Sequence, residues 1–510
     1  MPLIPYTRKA GDGGACAVLI GGGDGSLMRE CCPLYERVVV ISMPGELEFK
    51  DRPKNVAQYI VRGPQDAREV ASHGFASQRH VIDLESTDFY TAHPCEADPK
   101  VRTDFAEAFF NLLTSRPFTL GDDTIDGMQG AYHIAMSAHL IAHNPTPAEL
   151  TKLSCPVICV APGPSLAKHL DAIYALQDKC LIIAADTAMD GLLKAGITPH
   201  MVTPLERTDG LAEQAFPEDR YDQVIYAGAP FANQGIAEKF SKHLFVPGSD
   251  TAFIWMGVPG KDTFFTGQST GVLSCALGLQ LTTGPVYLVG HDLAFTDTQS
   301  HWSKVHDGVQ IQMDGTTNRI QVPGNKDNTV ESQSWWAVFQ GELMELAQAT
   351  GRVVNVNGFT GDGAQIPFTV SANLPDPGTL EPFSLPQWPE PNMERADRLA
   401  ALLRRLPSDV KTALARLSSS RLTVEDLSFG KLCDSDNRLI LDYIFRSTIG
   451  QFGMQYRNGA TEKRTTEDCS DAMRNVLRQM MPMFQQMADA PICKRLAAAE
   501  TQVIAAGARA

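Results

Sequence analysis

The sequence predicts an α/β protein in three parts, and three observations carry that reading. Short apolar strands alternate with amphipathic stretches over about 150–375, the pattern of a parallel sheet covered by helices. Glycine and polar residues cluster just after those strands, which places a ligand face at the strands' C-terminal ends. Beyond a proline-rich stretch at 371–396 the apolar residues switch to helical spacing.

Composition narrows the class. A chain of 510 residues with 43% hydrophobic content is long enough for several buried cores. A formal net charge of −15 argues against a broad basic surface for nucleic acid. The 11 cysteines are scattered and form no C-x-x-C pair, which fits buried thiols in a reducing compartment. The opening "MPLIPYTRKAGDGG" lacks the apolar segment of a signal peptide, and no apolar run is of bilayer-spanning length. The protein is expected to be soluble and cytoplasmic.

Residues 1–120 begin with "ACAVLIGGGDGSLMREC", a strand, a glycine-rich turn (Gly21, Gly22, Gly23, Gly25) and a helix start. "RVVVISMP", "AQYIVRG" and "HVIDLES" read as further strands, giving a small Rossmann-like domain. The acidic residue that normally ends the second strand of a nucleotide-binding unit is absent, since Ser42 and Met43 stand there. The unit is therefore read as a structural or docking domain. A helical connector follows at 121–149, and the central parallel-sheet domain spans 150–380. Its predicted strands are "VICVA", "CLIIAADTA", "HMVTPL", "QVIYAG", "HLFVPG", "PVYLVGHD" and "VVNVNG". A helical C-terminal domain is expected over 381–510, with Met480, Met481 and Met483 as bundle core.

Four strand ends carry candidate ligand groups. "APGPSLAKHLDAI" turns through Gly163, Pro164 and Ser165 into a helix. Such a turn is either a plain capped βα corner or an anion site. "AADTAMDG" ends a strand on Asp186 and Thr187, and "VTPLERTD" places Glu206 and Arg207 after the next. "FFTGQSTGVLSCALGLQL" opens a helix with Gly267, Gln268, Ser269, Thr270 and Gly271. Two helix openings on one sheet can hold the phosphate and ribose of a nucleotide. Neither is a P-loop. "VYLVGHDLAFTDTQSHWSKVH" then delivers His291 and Asp292, followed by His301 and His306. Their spacing matches no metal-ligand pattern, so no metal requirement is expected. A loop histidine such as His301 suits a general base.

Together these motifs resemble the motility accessory factors (Maf proteins), bacterial flagellin glycosyltransferases. The stretches that carry the resemblance are "APGPSLAKHLDAI", "CLIIAADTAMDGLLKAGITPHMV", "STGVLSCALGLQLTTGPVYLVGHDLAFTDTQSHW" and "NVNGFTGDGAQI". They parallel the family's G-P-S-L, A-A-D-[ST]-A, G-x-D-L-A…H and T-x-G-G-A segments in order and spacing. The central part is also similar to bacterial sialyltransferases that use CMP-activated sugars. Three departures stand out: "PLER" with Glu206 where an acid-proline pair is usual, His291 where glutamine is common, and "TGDGA" with Asp362 shifting the acid.

The resemblance implies transfer of a nonulosonic acid, of the pseudaminic or legionaminic type, from a CMP donor to flagellin Ser or Thr hydroxyls. It implies no cofactor beyond that donor. His301 would be the base, Asp292 would orient the loop or bind donor, and Gly163 to Ser165, Asp186, Thr187, Glu206 and Gly267 to Gly271 would bind donor. The alternatives are a hydroxymethylpterin diphosphokinase with Mg²⁺ on Asp186, Glu206 and Asp292, and a flagellin-binding chaperone without catalysis.

Overall fold

A computed structural model describes residues 13–46, 48–50, 52–63, 87–91, 124–208, 210, 214–248, 251–295, 319–326, 328–419, 422–445 and 461–494. By internal contacts the chain divides into Met1–Gly121 with Ser447–Cys469, and Asp122–Arg446 with Ser470–Ala510.

The first unit is built on a four-stranded sheet. Its strands are β1 (Gly14–Ile20), β2 (Tyr35–Ser42), β3 (Val56–Ile60) and β4 (Thr87–Thr91). They lie in the order β3-β2-β1-β4, and all the pairings are parallel. This is the half-Rossmann arrangement that the glycine turn after β1 suggested. The predicted strand "HVIDLES" lies outside the described residues.

The second unit holds an eight-stranded parallel sheet. Its strands are β5 (Val157–Val160), β6 (Leu181–Ala185), β7 (Met201–Thr203), β8 (Ile225–Tyr226), β9 (Lys242–His243), β10 (Val286–Val289), β13 (Val353–Asn355) and β14 (Val370–Ser371). The order is β14-β13-β10-β5-β6-β7-β8-β9. Six of the seven strands read from sequence coincide with these, and the seventh, "HLFVPG", overlaps β9 only at His243. An antiparallel ribbon of β11 (Arg319–Pro323) and β12 (Thr329–Gln333), together with β14, was not foreseen.

The apolar runs are continuous because both sheet faces are covered. Val157, Cys159, Leu181 and Ile183 enter one core. Their neighbours Ile158, Val160, Ile182 and Ala184 enter the other. Strands β5 to β9 run outward in one direction and β10, β13 and β14 in the other. The direction reverses between β5 and β10, where a parallel sheet opens a crevice at its C-terminal edge.

The Met393–Leu417 helix and the part of the Glu462–Ala488 helix beyond Cys469 belong to this unit. The Met393–Leu417 helix is capped by Asn392, and its Arg395 is buried. Arg395 donates to the Ala142 carbonyl at 2.7 Å and to the Asn144 carbonyl, and lies 4.9 Å from the Phe245 ring centroid. It thereby holds the end of the Thr124–Ile141 helix. The buried Trp255 donates to Asn437 at 2.9 Å. The proline-rich stretch is tied down as well, by Lys179 donating to the Pro377 and Leu380 carbonyls and by Phe383 N–H donating to Asp178. In the Glu462–Ala488 helix, Met473, Leu477, Met480, Phe484 and Met487 form the buried stripe. Met481 and Met483 flank it, half-exposed. The stripe steps by four and three, the spacing of a packed helix seam.

Arg395→Ala should destabilise the larger unit by about 3 kcal/mol, because two buried carbonyls lose a charged donor. Arg395→Lys should not restore it, since an ammonium lacks the planar fork. Urea unfolding followed by tryptophan fluorescence checks both variants.

Candidate functional site

The crevice between β5 and β10 is closed by one carboxylate. Asp292 follows β10 and is 3% exposed. Its Oδ2 accepts the Ser165 N–H at 2.7 Å and its Oδ1 accepts the Ser165 hydroxyl at 2.5 Å. The Asn357 amide, on the Val356–Thr360 helix after β13, also donates to Oδ1. Gly163 makes the approach possible, since a Cβ there would lie 2.3 Å from the Gly290 carbonyl oxygen and 2.5 Å from Asp292 Oδ2. Pro164 opens the short 3₁₀ turn that carries Ser165 inward. Burial raises the Asp292 pKa, while the bonds from Ser165 oppose that. The Ser165 donors thus point to Asp292 and not into an empty turn.

A second cluster forms where β6, β7 and the Thr270–Leu281 helix meet. Asp186 opens the Asp186–Lys194 helix and accepts the Thr187 N–H at 2.7 Å. The Thr270 side chain and the Leu205 backbone lie beside it and work to lower its pKa. The Thr203 hydroxyl lies 3.2 Å from the Ala184 carbonyl and 3.1 Å from that of Thr270. Burial pushes the Asp186 carboxyl up to about 6, and the nearby Glu206 adds to the rise. Glu206 accepts the N–H groups of Arg207 and Thr208, both at 2.8 Å. The following carbonyl, of Arg207, accepts from His133 Nε2 at 3.1 Å and from Asn233 at 3.2 Å. Because His133 Nδ1 accepts the Gln234 N–H, its proton sits on Nε2. The connector helix therefore fixes the Glu206 loop, a role with no signal in the sequence.

A third cluster lies at Gly267 to Gly271. Gly267 has φ +68°, a left-handed turn that favours glycine. Ser269 caps the following helix by accepting the Val272 N–H at 3.2 Å. Glu342, on the Ser334–Thr350 helix, accepts both the N–H and the side-chain amide of Gln268, each at 3.1 Å. Gly271 lets His291 approach: Nε2 lies 3.3 Å from the Gly271 carbonyl and Nδ1 lies 3.2 Å from that of Val289. Burial lowers the His291 pKa to about 4, so the ring is neutral at physiological pH.

The structure therefore brings Gly163, Pro164 and Ser165 to Asp292, and Asp186 and Thr187 to Thr270 and Glu206. Asn357 and Glu342 were missed as site residues. His301 and His306 lie outside the described residues. Among the described residues no group of three or more His, Cys, Asp and Glu side chains is placed to hold a metal ion, and no helix is long and apolar enough to cross a membrane. In the first unit, Glu46 fills the glycine turn. It accepts the N–H groups of Gly22 at 2.6 Å, Met43 at 2.8 Å and Gly23 at 3.4 Å.

Asp292→Ala should cost about 3 kcal/mol in urea unfolding, because the buried Ser165 N–H and Asn357 amide lose their acceptor. Ser165→Ala should cost about 1 kcal/mol, because Asp292 keeps Asn357. Asp186 predicts a pH effect. Its folded pKa of about 6 exceeds its ordinary 3.8, so its contribution to stability is complete below pH 4 and is lost as pH rises through 6. The gap corresponds to about 3 kcal/mol. Asp186→Asn should therefore melt above the wild type at pH 8, and the difference should close towards pH 4 in thermal scans.

Comparison with known proteins agrees with this geometry at the level of fold. The family described as 6-hydroxymethylpterin diphosphokinase MptE-like matches residues 135–298. No curated protein matches the chain. A solved structure of the Maf glycosyltransferase from Magnetospirillum magneticum AMB-1 aligns with a TM-score of 0.54 at 15% identity, covering 93% of this chain and 79% of that one. The chain thus has the α/β fold of a Maf glycosyltransferase, and its residues 135–298 are similar to the MptE-like family.

Proposed function

We propose that this protein is a motility accessory factor that glycosylates flagellin in the cytoplasm. It would move a nonulosonic acid of the pseudaminic or legionaminic type from a CMP donor to Ser or Thr hydroxyls. The observation that supports this reading best is the meeting of two helix N-termini at Asp186 and Thr270, on the edge of a sheet whose fold is that of a glycosyltransferase. Backbone N–H groups and the Thr187 and Thr270 hydroxyls suit an anionic leaving group there. In the step proposed, the acceptor oxygen attacks the sugar's anomeric carbon. The bond from that carbon to the phosphate oxygen breaks, and CMP leaves with the electron pair. The acceptor's proton passes to His301. The phosphate charge is met by the helix ends, so this reading calls for no metal ion.

A second reading is favoured by the name of the matching family, a diphosphokinase acting on a hydroxymethylpterin. It would need carboxylates to hold Mg²⁺. Asp292, one of the three candidates, has both oxygens engaged by Ser165 and Asn357, which weighs against it.

Intact mass of flagellin co-expressed with and without this protein tests the proposal. The expected result is a rise by one or more sugar residues, lost or reduced about 10²–10⁴-fold in rate with His301→Ala and nearly unchanged with His306→Ala. Unmodified flagellin in every case, with AMP released from ATP and 6-hydroxymethylpterin, would replace it with the diphosphokinase reading.

A further inference from the structure

Glu342 is a buried carboxylate, 8% exposed, that no motif singles out. It sits under the turn from Gly267 to Gly271, and its two oxygens divide between the two donors of one residue. Oε2 accepts the Gln268 backbone N–H and Oε1 accepts the Gln268 side-chain amide, each at 3.1 Å. That pairing fixes the peptide plane and the rotamer of Gln268 together. Gln268 itself is exposed, so the grip reaches from the interior to the accessible face of the turn.

The rest of the turn is already determined. Gly267 is left-handed, and a Cβ there would lie 2.2 Å from Val272 Cγ1 and 3.2 Å from Glu342 Oε2. Ser269 caps the helix and Thr270 meets Asp186. Gln268 is the residue between these fixed points, and Glu342 fixes it.

Burying a carboxylate is costly unless its bonds secure something. Among the described residues no lysine or arginine pairs with Glu342, and the charged group facing it is Glu345, one turn along the same helix. Burial, reinforced by Glu345, raises its pKa to about 7. An apolar side chain would serve the helix packing at lower cost. What an apolar side chain could not do is hold Gln268.

We propose that Glu342 is a positioning residue for the donor. Through Gln268 it holds the Gly267–Gly271 turn in the shape that receives the anionic leaving group. This rests on the transferase reading above, in which that turn meets the phosphate of CMP.

The test uses the full-length protein, CMP as the probe, and two readouts: calorimetric CMP affinity, and hydrogen exchange of the segment 264–272. Glu342→Ala should speed exchange in that segment and weaken CMP binding about tenfold or more. Glu342→Gln keeps an acceptor for the Gln268 N–H and should restore most of the affinity. Gln268→Ala changes an exposed side chain, so it serves if Glu342→Ala fails to fold, and it should weaken binding severalfold. The double variant should be no weaker than Glu342→Ala alone, since both act through one contact. Unchanged exchange at 264–272 in Glu342→Ala would overturn the positioning role. Faster exchange with CMP affinity within twofold of wild type would overturn the link to the donor. A wild-type protein that does not bind CMP would overturn the transferase reading and the donor half of this proposal, while the exchange result would still decide whether Glu342 holds the turn.

Discussion

The Asp292 carboxylate is the constraint on which the C-terminal edge of the larger sheet depends. It joins three chain segments that are distant in sequence: the turn after β5, the loop after β10 and the short helix after β13. These three strands are neighbours at the point where the sheet changes direction. Backbone bonds tie these loops in part, from the Gly163 N–H to the Gly290 carbonyl at 2.9 Å and from the Ala364 N–H to the Asp292 carbonyl at 2.8 Å. One buried acid with both oxygens engaged adds the side-chain tie that joins all three. The chain leaves Asp292 through Leu293 in a left-handed conformation, with φ of 46°. Such backbone persists only when its surroundings hold it, and the Ser332 hydroxyl on the Leu293 carbonyl, at 2.7 Å, is one such hold.

The same device recurs. Glu46 takes the N–H groups of the glycine turn after β1. Asp292 takes that of Ser165 after β5, and Glu342 takes that of Gln268. Each turn looks, by its glycines and hydroxyls, like a site for an external anion. In each an internal carboxylate already meets at least one donor. A motif of glycine and serine at a βα turn reports that unpaired N–H groups must be satisfied. It does not report by what.

That distinction explains what was legible in the sequence. The central strands were readable because burial on both faces makes them near-continuous apolar runs, as in "VICV" and "LIIAA". Strand β14 was not, because two exposed residues, Val370 and Ser371, carry no pattern. The ribbon of β11 and β12 was missed because its burial is partial and its residues are mostly polar. The positions of Ser165, Asp186 and Thr270 at strand or helix ends were foreseen, since they stand in recognisable turns. Their partners were not. Asn357 sits in "NVNG", and Glu342 in the amphipathic "GELMELA", where an acid reads as a solvent-facing residue. Partner choice is a matter of three-dimensional proximity, and no local spacing encodes it.

The corner at Asp186 differs from the three capped turns in one respect that bears on ligand binding. Its acid stands at the N-terminus of its own helix and lies beside Thr270 at the start of another. Two helix ends concentrate positive potential there. When Asp186 is ionised it cancels part of that potential. When neutral it leaves the potential available to another anion. Burial already brings its pKa to about 6, so the energy separating the two forms near neutral pH is small. A phosphate brought to this corner would favour the neutral form further, by like-charge repulsion. On the transferase reading, a donor phosphate held here would bring a proton with it. That coupling would follow from placing the acid where the helix dipoles converge, since Asp186 accepts the N–H of its own neighbour Thr187, whereas Glu46, Asp292 and Glu342 reach donors of a separate segment.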